Sequence, residues 1–425
     1  MDSYRGLHRR RCLLGVSAAL LLAAGCSDSL TTPHEENADP AIYFQRLLVA
    51  DATLPSARMV GLHNDELLQT FSLSGPASQV YRGGSGRFGI ILQRTVDQTS
   101  FINSGIELHD DHAHLHSPQL LGFSLQEALP TYLHVIGDWI TLWFDGTGRG
   151  IWLRESSLAS GSPSVLHQVS AGSPHHGGST TLLVNGSPFL AHSQNPGGGS
   201  PTAVEVRNTQ GQIVASVTDC PSMHGHHAIS TGAVFGCNDG LVLVRPSGNG
   251  VQAQKVTPTG DMAGLALRNA YANSGGAFIL GQFAALPGQP AQRVFATIYP
   301  STGTLNRFPA LPDADVDHWR AVEPIRGQIV FLGRTGRLYI YSSTGQLQHT
   351  VTNVVPTIPA SGALTHQVDV VEGMAAVASP TTGEVVLVSL ETGSVIRRMN
   401  LGGQPSRLTI LGALDAGEYH LEGVH

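Results

Sequence analysis

The stretch 330–351, "VFLGRTGRLYIYSSTGQLQHTV", has a near copy at 376–399, "AVASPTTGEVVLVSLETGSVIRRM". Each reads as strand, glycine turn, strand, a second turn of S-T-G-Q or E-T-G-S type, then another strand. Both turns pair glycine with small polar residues, which supply the left-handed backbone that tight turns need. The intervening runs are short, β-branched and apolar, with no 3.6-residue period. Similar runs occur along the chain: "GRFGIIL" (86–92), "DWITLWFDGTG" (138–148), "STTLLVNGSPFLAH" (179–192), "GAVFGCNDGLVLV" (232–244) and "GAFILGQF" (276–283). Counted with the two opening stretches they recur roughly every 50 residues, the spacing of propeller blades. The expected fold is all-β, a β-propeller of seven blades over residues 41–415, with a large sandwich or two small barrels as the alternatives.

Composition agrees. Of 425 residues only 13% are charged and 6% aromatic, with 50 Gly and 24 Pro. The net charge of −7 provides no basic surface for nucleic acid. Twenty histidines nearly match the 24 Lys and Arg, and imidazole is a favoured ligand for zinc, copper and nickel.

The first 26 residues read as an export signal. Arg5, Arg9, Arg10 and Arg11 precede an apolar run from Cys12 to Ala24, and "LAAGC" ends in Cys26, the expected lipidated cysteine. The arginine cluster is also compatible with twin-arginine export. Residues 27–40 form a polar tether and 416–425 a C-terminal tail. Ser27 after the cysteine favours the outer membrane, so the expected location is periplasmic and lipid-anchored. The remaining cysteines, Cys220 and Cys237, lack metal-site spacing and read as a disulfide in an oxidising compartment. Closing that loop of about 17 residues stabilises the chain by about 3 kcal/mol.

Polar rings recur ahead of the apolar runs: Tyr81, Tyr132, His134, His176, His224, His318 and His366. In a propeller, equivalent positions of successive blades converge on the central channel, so these rings are expected to share a site there. The segment "IELHDDHAHLHSPQLL" (106–121) concentrates His109, His112, His114 and His116 with Glu107, Asp110 and Asp111. Extended, it puts His112, His114 and His116 on one side; helical, it puts His109, His112 and His116 on one face. With no enclosing strand pattern and a Ser117-Pro118 stop, it is expected to be a mobile loop that captures metal weakly.

Four of these segments, "CPSMHGHHAISTGAVFGCNDGLVLV" (220–244), "SGIELHDDHAHLH" (104–116), "SPHHGG" (173–178) and "WFDG" (143–146), together with "GGQPSRL" (402–408), resemble the AztD family. These are periplasmic zinc-chaperone propellers that work beside zinc ABC importers. The resemblance spans about residues 50–410. It implies a non-catalytic monomer that holds zinc in the channel and passes it to the importer's solute-binding protein. It implies His176, His224 and His318 as buried ligands, with His109, His134, Asp317 or water as a fourth, and the 109–116 loop as an auxiliary site. The sequence departs from the family pattern at Tyr81 and Tyr132, where further histidines are expected, and His226 and His227 crowd His224. No H-E-x-x-H, G-x-S-x-G or P-loop is present. The rival functions are a protein-interaction scaffold and, with less support, a metal-dependent hydrolase.

Overall fold

The computed structural model describes residues 44–109, 112–161, 163–273, 275–312, 315–413 and 420–421. The expected export signal 1–26 with Cys26, the expected tether 27–40 and most of the expected tail 416–425 lie outside the described residues.

The strands form eight four-stranded antiparallel sheets, each a meander, arranged as a propeller. Blade 1 comprises Gln79–Arg82, Phe88–Gln93, Gln98–Asn103 and Gln119–Gln126, and blade 2 Pro130–Ile136, Trp139–Phe144, Arg149–Arg154 and His167–Ser170. Blades 3, 4, 5, 6 and 7 begin with the inner strands Ser179–Val184, His226–Ile229, Leu265–Tyr271, Asp317–Val322 and Val368–Val371. Blade 8 joins the two ends of the chain: the C-terminal strand Pro405–Gly412 pairs with Gln45–Asp51, followed outward by Ser56–Gly61 and Leu67–Ser72. The expectation of seven blades is corrected by this last one. Its four strands are split between the termini, so no contiguous stretch of sequence repeats the pattern of the other blades.

The apolar runs seen in sequence are mostly second strands. Phe88–Gln93, Trp139–Phe144, Gly232–Cys237, Ile329–Gly333 and Met374–Ser379 are buried throughout. They lie sandwiched between neighbouring blades, which is why they read as continuous apolar rather than alternating. The outermost strands, such as Leu67–Ser72 and Thr304–Phe308, are mostly exposed. The polar rings belong to the innermost strands, or to the loops entering them, and so face the axis.

The histidine-rich segment is not a simple loop. Ile106–Leu108 and His112–Leu115 form an antiparallel hairpin, extended by a parallel strand at His420–Leu421. Its Ile106 and Ala113 pack with Phe44 and Ala413 beside the closing blade, and Arg46 donates to the His116 carbonyl oxygen (2.7 Å). Burial of this small apolar face is what the hydrophilic sequence concealed.

The Cys220–Cys237 disulfide is formed, with Cα atoms 4.8 Å apart. It ties the second strand of blade 4 to the loop that carries His224.

Candidate metal centre

Blades 2, 3 and 4 bring six rings into one connected run along the channel. His224 lies 5.5 Å from His176 between ring centroids, and His176 lies 5.3 Å from Tyr132. Tyr132 stands 5.1 Å from His226, His226 stands 4.8 Å from His134, and His134 stands 4.6 Å from His227.

Local backbone devices set these positions. The inner strand of blade 2 has a bulge between Pro130 and Tyr132, and that of blade 5 a bulge between Leu267 and Asn269. The second turns the Arg268 carbonyl toward His224, whose Nδ1–H donates to it at 2.6 Å. Bulges commonly re-aim groups beside functional sites. In "HHGG" the two glycines make room. A Cβ on Gly178 would lie 1.9 Å from the His226 ring, and one on Gly177 would lie 2.2 Å from the Ser193 hydroxyl. Only a residue without a side chain lets His226 rest on this backbone, where it also stacks on Phe235 at 5.7 Å and 11°.

The hydrogen bonds fix tautomers. His176 Nδ1–H donates to Asp145 Oδ2 (2.9 Å), leaving Nε2 as an acceptor for the Tyr132 hydroxyl (2.9 Å). His224, bonded through Nδ1–H, likewise turns a lone-pair Nε2 outward. A carboxylate or carbonyl on one imidazole nitrogen is the arrangement that readies the other for a metal. Two imidazoles on one tetrahedral zinc have centroids roughly 5 Å apart, from a Zn–N bond near 2 Å, and the His176–His224 separation matches that. Among the described residues, no three His, Cys, Asp or Glu side chains already converge closely enough to hold a metal ion.

Burial keeps His134, His224, His226 and His227 uncharged. Burial, reinforced by His227, His176 and His224, pushes His226 down to about 3. Burial takes His227 to about 4 and, with help from His227 and His226, holds His134 well below the ordinary value. His224 is lowered chiefly by burial. Asp145 is pushed up by burial, but the bond from His176 with Thr131 and Arg94 outweighs this and leaves it below the usual carboxylate range. All these imidazoles are thus unprotonated at neutral pH, the form that ligates metal.

The other sequence-predicted residues fall elsewhere. His318, the bulged residue of the blade 6 inner strand, pairs with His366 at 5.2 Å and accepts its backbone N–H at 3.2 Å. Asp317 is buried and engaged by Arg293 (3.0 Å) and Arg320. On the hairpin, His114 lies 4.9 Å from His109 and 6.4 Å from His116; the side chain of His112 is outside the described residues. Sequence reasoning passed over Asp145, although it sits inside "WFDG", and gave no role to His226, His227 or the Arg268 carbonyl. The doubled "HH" at 226–227 was the available signal.

An eight-bladed propeller with a histidine-lined channel is the class that fold and site define. The chain is similar to AztD of Citrobacter koseri in two structures. The apo form matches with a TM-score of 0.75 and 21% identity, the second with 0.76 and 22%; each match covers 87% of this chain and 98% of the other. Dihydro-heme d1 dehydrogenase NirN in complex with DHE is a more distant match, at a TM-score of 0.52 and 10% identity over 89% of this chain and 77% of that one. No protein-family model matches the sequence. At this level of identity the likeness to these structures is one of fold.

Proposed function

We propose that the channel holds a zinc ion as cargo and that the protein is an extracytoplasmic zinc metallochaperone. The observation that carries this is the His224–His176 pair, each ring anchored through Nδ1–H and offering Nε2. His226, His134 and His227 continue the run and supply further neutral nitrogens. Buried His226 Nε2 and His134 Nε2 have no hydrogen-bond partner, a costly condition that a metal ion relieves. The element is taken as zinc from the motif resemblance, as is delivery to the solute-binding protein of a zinc ABC importer. The hairpin histidines form the capture site, and Cys26 tethers the protein to the outer membrane on its periplasmic side. The role is non-catalytic: it requires a stoichiometric metal and no turnover.

The absence of three converged ligands among the described residues favours the second reading, a scaffold propeller with incidental histidines. The two separate in one measurement. The domain from residue 27, exported so that the disulfide forms, is dialysed against a moderate chelator and its zinc counted. About one zinc per chain, lost in His176→Ala and His224→Ala, supports the chaperone. His318→Ala should retain it, since its ring pairs with His366. A wild type without metal, or variants holding as much, leaves the scaffold. Zinc with hydrolytic turnover would instead indicate a metal-dependent enzyme.

A further inference from the structure

Across the channel from the histidine run stands Arg407, an arginine whose charge is unanswered. Arg407 projects from the inner strand of blade 8, with its guanidinium carbon 5.6 Å from the Trp319 ring centroid of blade 6. Its electrostatic neighbours include Tyr81 of blade 1 and His318 of blade 6. Residues from these separate blades meet only around the axis. Asp369 accepts from Thr409 and the Ile410 amide and faces Arg82, while Asp317 serves Arg293 and Arg320. Among the described residues Arg407 makes no ion pair, and its Nη1 is buried with no hydrogen-bond partner; Arg320 Nε, also near His318, is in the same condition. Arg334, the third cation near His318, bonds only the Pro359 carbonyl among the described residues.

A half-buried cation without a counter-charge is costly, and a guanidinium stacked on an indole presents its N–H edge in a plane suited to two oxygens. We propose that this corner binds a small oxyanion, held by the Arg407 guanidinium. The ligand class is an inorganic oxyanion or a small carboxylate. Bound here, it sits across the channel from the histidine run and balances charge that no protein group balances. This site does not depend on zinc.

The test is calorimetric titration of the metal-free protein with inorganic phosphate and, separately, with malonate, at ionic strength held constant with chloride. Saturable binding of either at one site per chain is expected, and the preferred probe identifies the ligand class. Arg407→Gln should bind roughly tenfold or more weakly, because it loses a charge-assisted, two-pronged contact. Arg407→Lys should fall between, and Arg307→Gln, at an exposed pair with Asp261, should match wild type. Without added anion, the denaturation midpoint of Arg407→Gln should equal or exceed that of wild type, since an unpaired cation has been removed. Absence of saturable binding, equal binding by Arg407→Gln, or a destabilised Arg407→Gln would overturn the proposal. Because no metal is present, none of these outcomes bears on zinc retention.

Discussion

Gly178→Ala tests whether the histidine run is held by packing rather than by chance proximity. A Cβ at residue 178 would lie 1.9 Å from His226 Cε1, 2.0 Å from Nε2 and 2.4 Å from Nδ1. The ring cannot swing away freely. It is 7% exposed, stacked on Phe235, and bounded by Tyr132 and His134. Overpacking of this kind costs about 1–3 kcal/mol, and with the obstacle a whole ring the upper part of that range is expected. Gly122→Ala is the matched control: its Cβ meets nothing within 4 Å, and its backbone is not left-handed. Urea denaturation of both variants gives the comparison. The decisive version adds His226→Ala. If the clash is with that ring, Gly178→Ala should cost far less in the His226→Ala background, a coupling of about 1–3 kcal/mol. Equal costs in both backgrounds, or a Gly178→Ala midpoint equal to that of Gly122→Ala, would refute the reasoning.

Asp145→Asn removes the charge that anchors His176 while preserving an oxygen that accepts from its Nδ1–H. Loss of an outer carboxylate of this kind typically weakens metal binding about 10–100-fold, measurable by competition with a chromogenic chelator; unchanged affinity would remove His176 from the ligand set. Acid should destabilise the protein before it unfolds it. The unfolded chain binds a proton at His226 below 6.5, the native chain only below about 3, so stability is complete above 6.5 and falls as the pH drops toward 3. At pH 5 this residue alone accounts for about 2 kcal/mol. Urea midpoints at pH 7.5 and 5 check it, and a slope unchanged in His226→Phe would contradict the burial of a neutral ring.

The architecture was legible because a blade is a local unit. Strand, turn and strand at 330–351 lie within one sheet, so the sequence shows the whole pattern in one place. The closing blade was hidden because its strands lie at 45–72 and 405–412. The site was half legible for the same reason. His176 and His224 announce themselves by motif, but what orients them lies on other blades: Asp145 on blade 2, and the Arg268 carbonyl on a bulge of blade 5. A bulge leaves little mark in sequence, since its residue is ordinary and only its register is not. His318 shows the converse. It occupies an equivalent point of its repeat, yet its bulge sets it against His366 rather than His176. The hairpin at 106–115 escaped because Ile106 and Ala113, which anchor it, are few among charged neighbours.

The placement of the histidine run follows from how the blades are joined. Apolar clusters bind blades 1 to 2, 3 to 4, 4 to 5, 5 to 6, 6 to 7, 7 to 8 and 8 to 1. Blade 2 joins the cluster of blades 3 and 4 through Ile136, and polar contacts lie beside it. The Thr141 and Thr181 hydroxyls meet at 2.6 Å, Ser179 donates to the Leu142 carbonyl at 3.4 Å, and His175 lies 5.1 Å from Trp143 while bonding Ser193 at 2.9 Å. An interface of this kind gains less from burial than an apolar one, because each buried polar group must be matched merely to break even. What it supplies is acceptors. A neutral imidazole held in one tautomer needs an oxygen for its N–H, and an apolar blade face has none. Asp145, at the end of the second strand of blade 2, reaches His176 on the loop entering blade 3. The polar contacts of this seam thus orient His176, while a bulge carbonyl does the same for His224 across the apolar seam of blades 4 and 5.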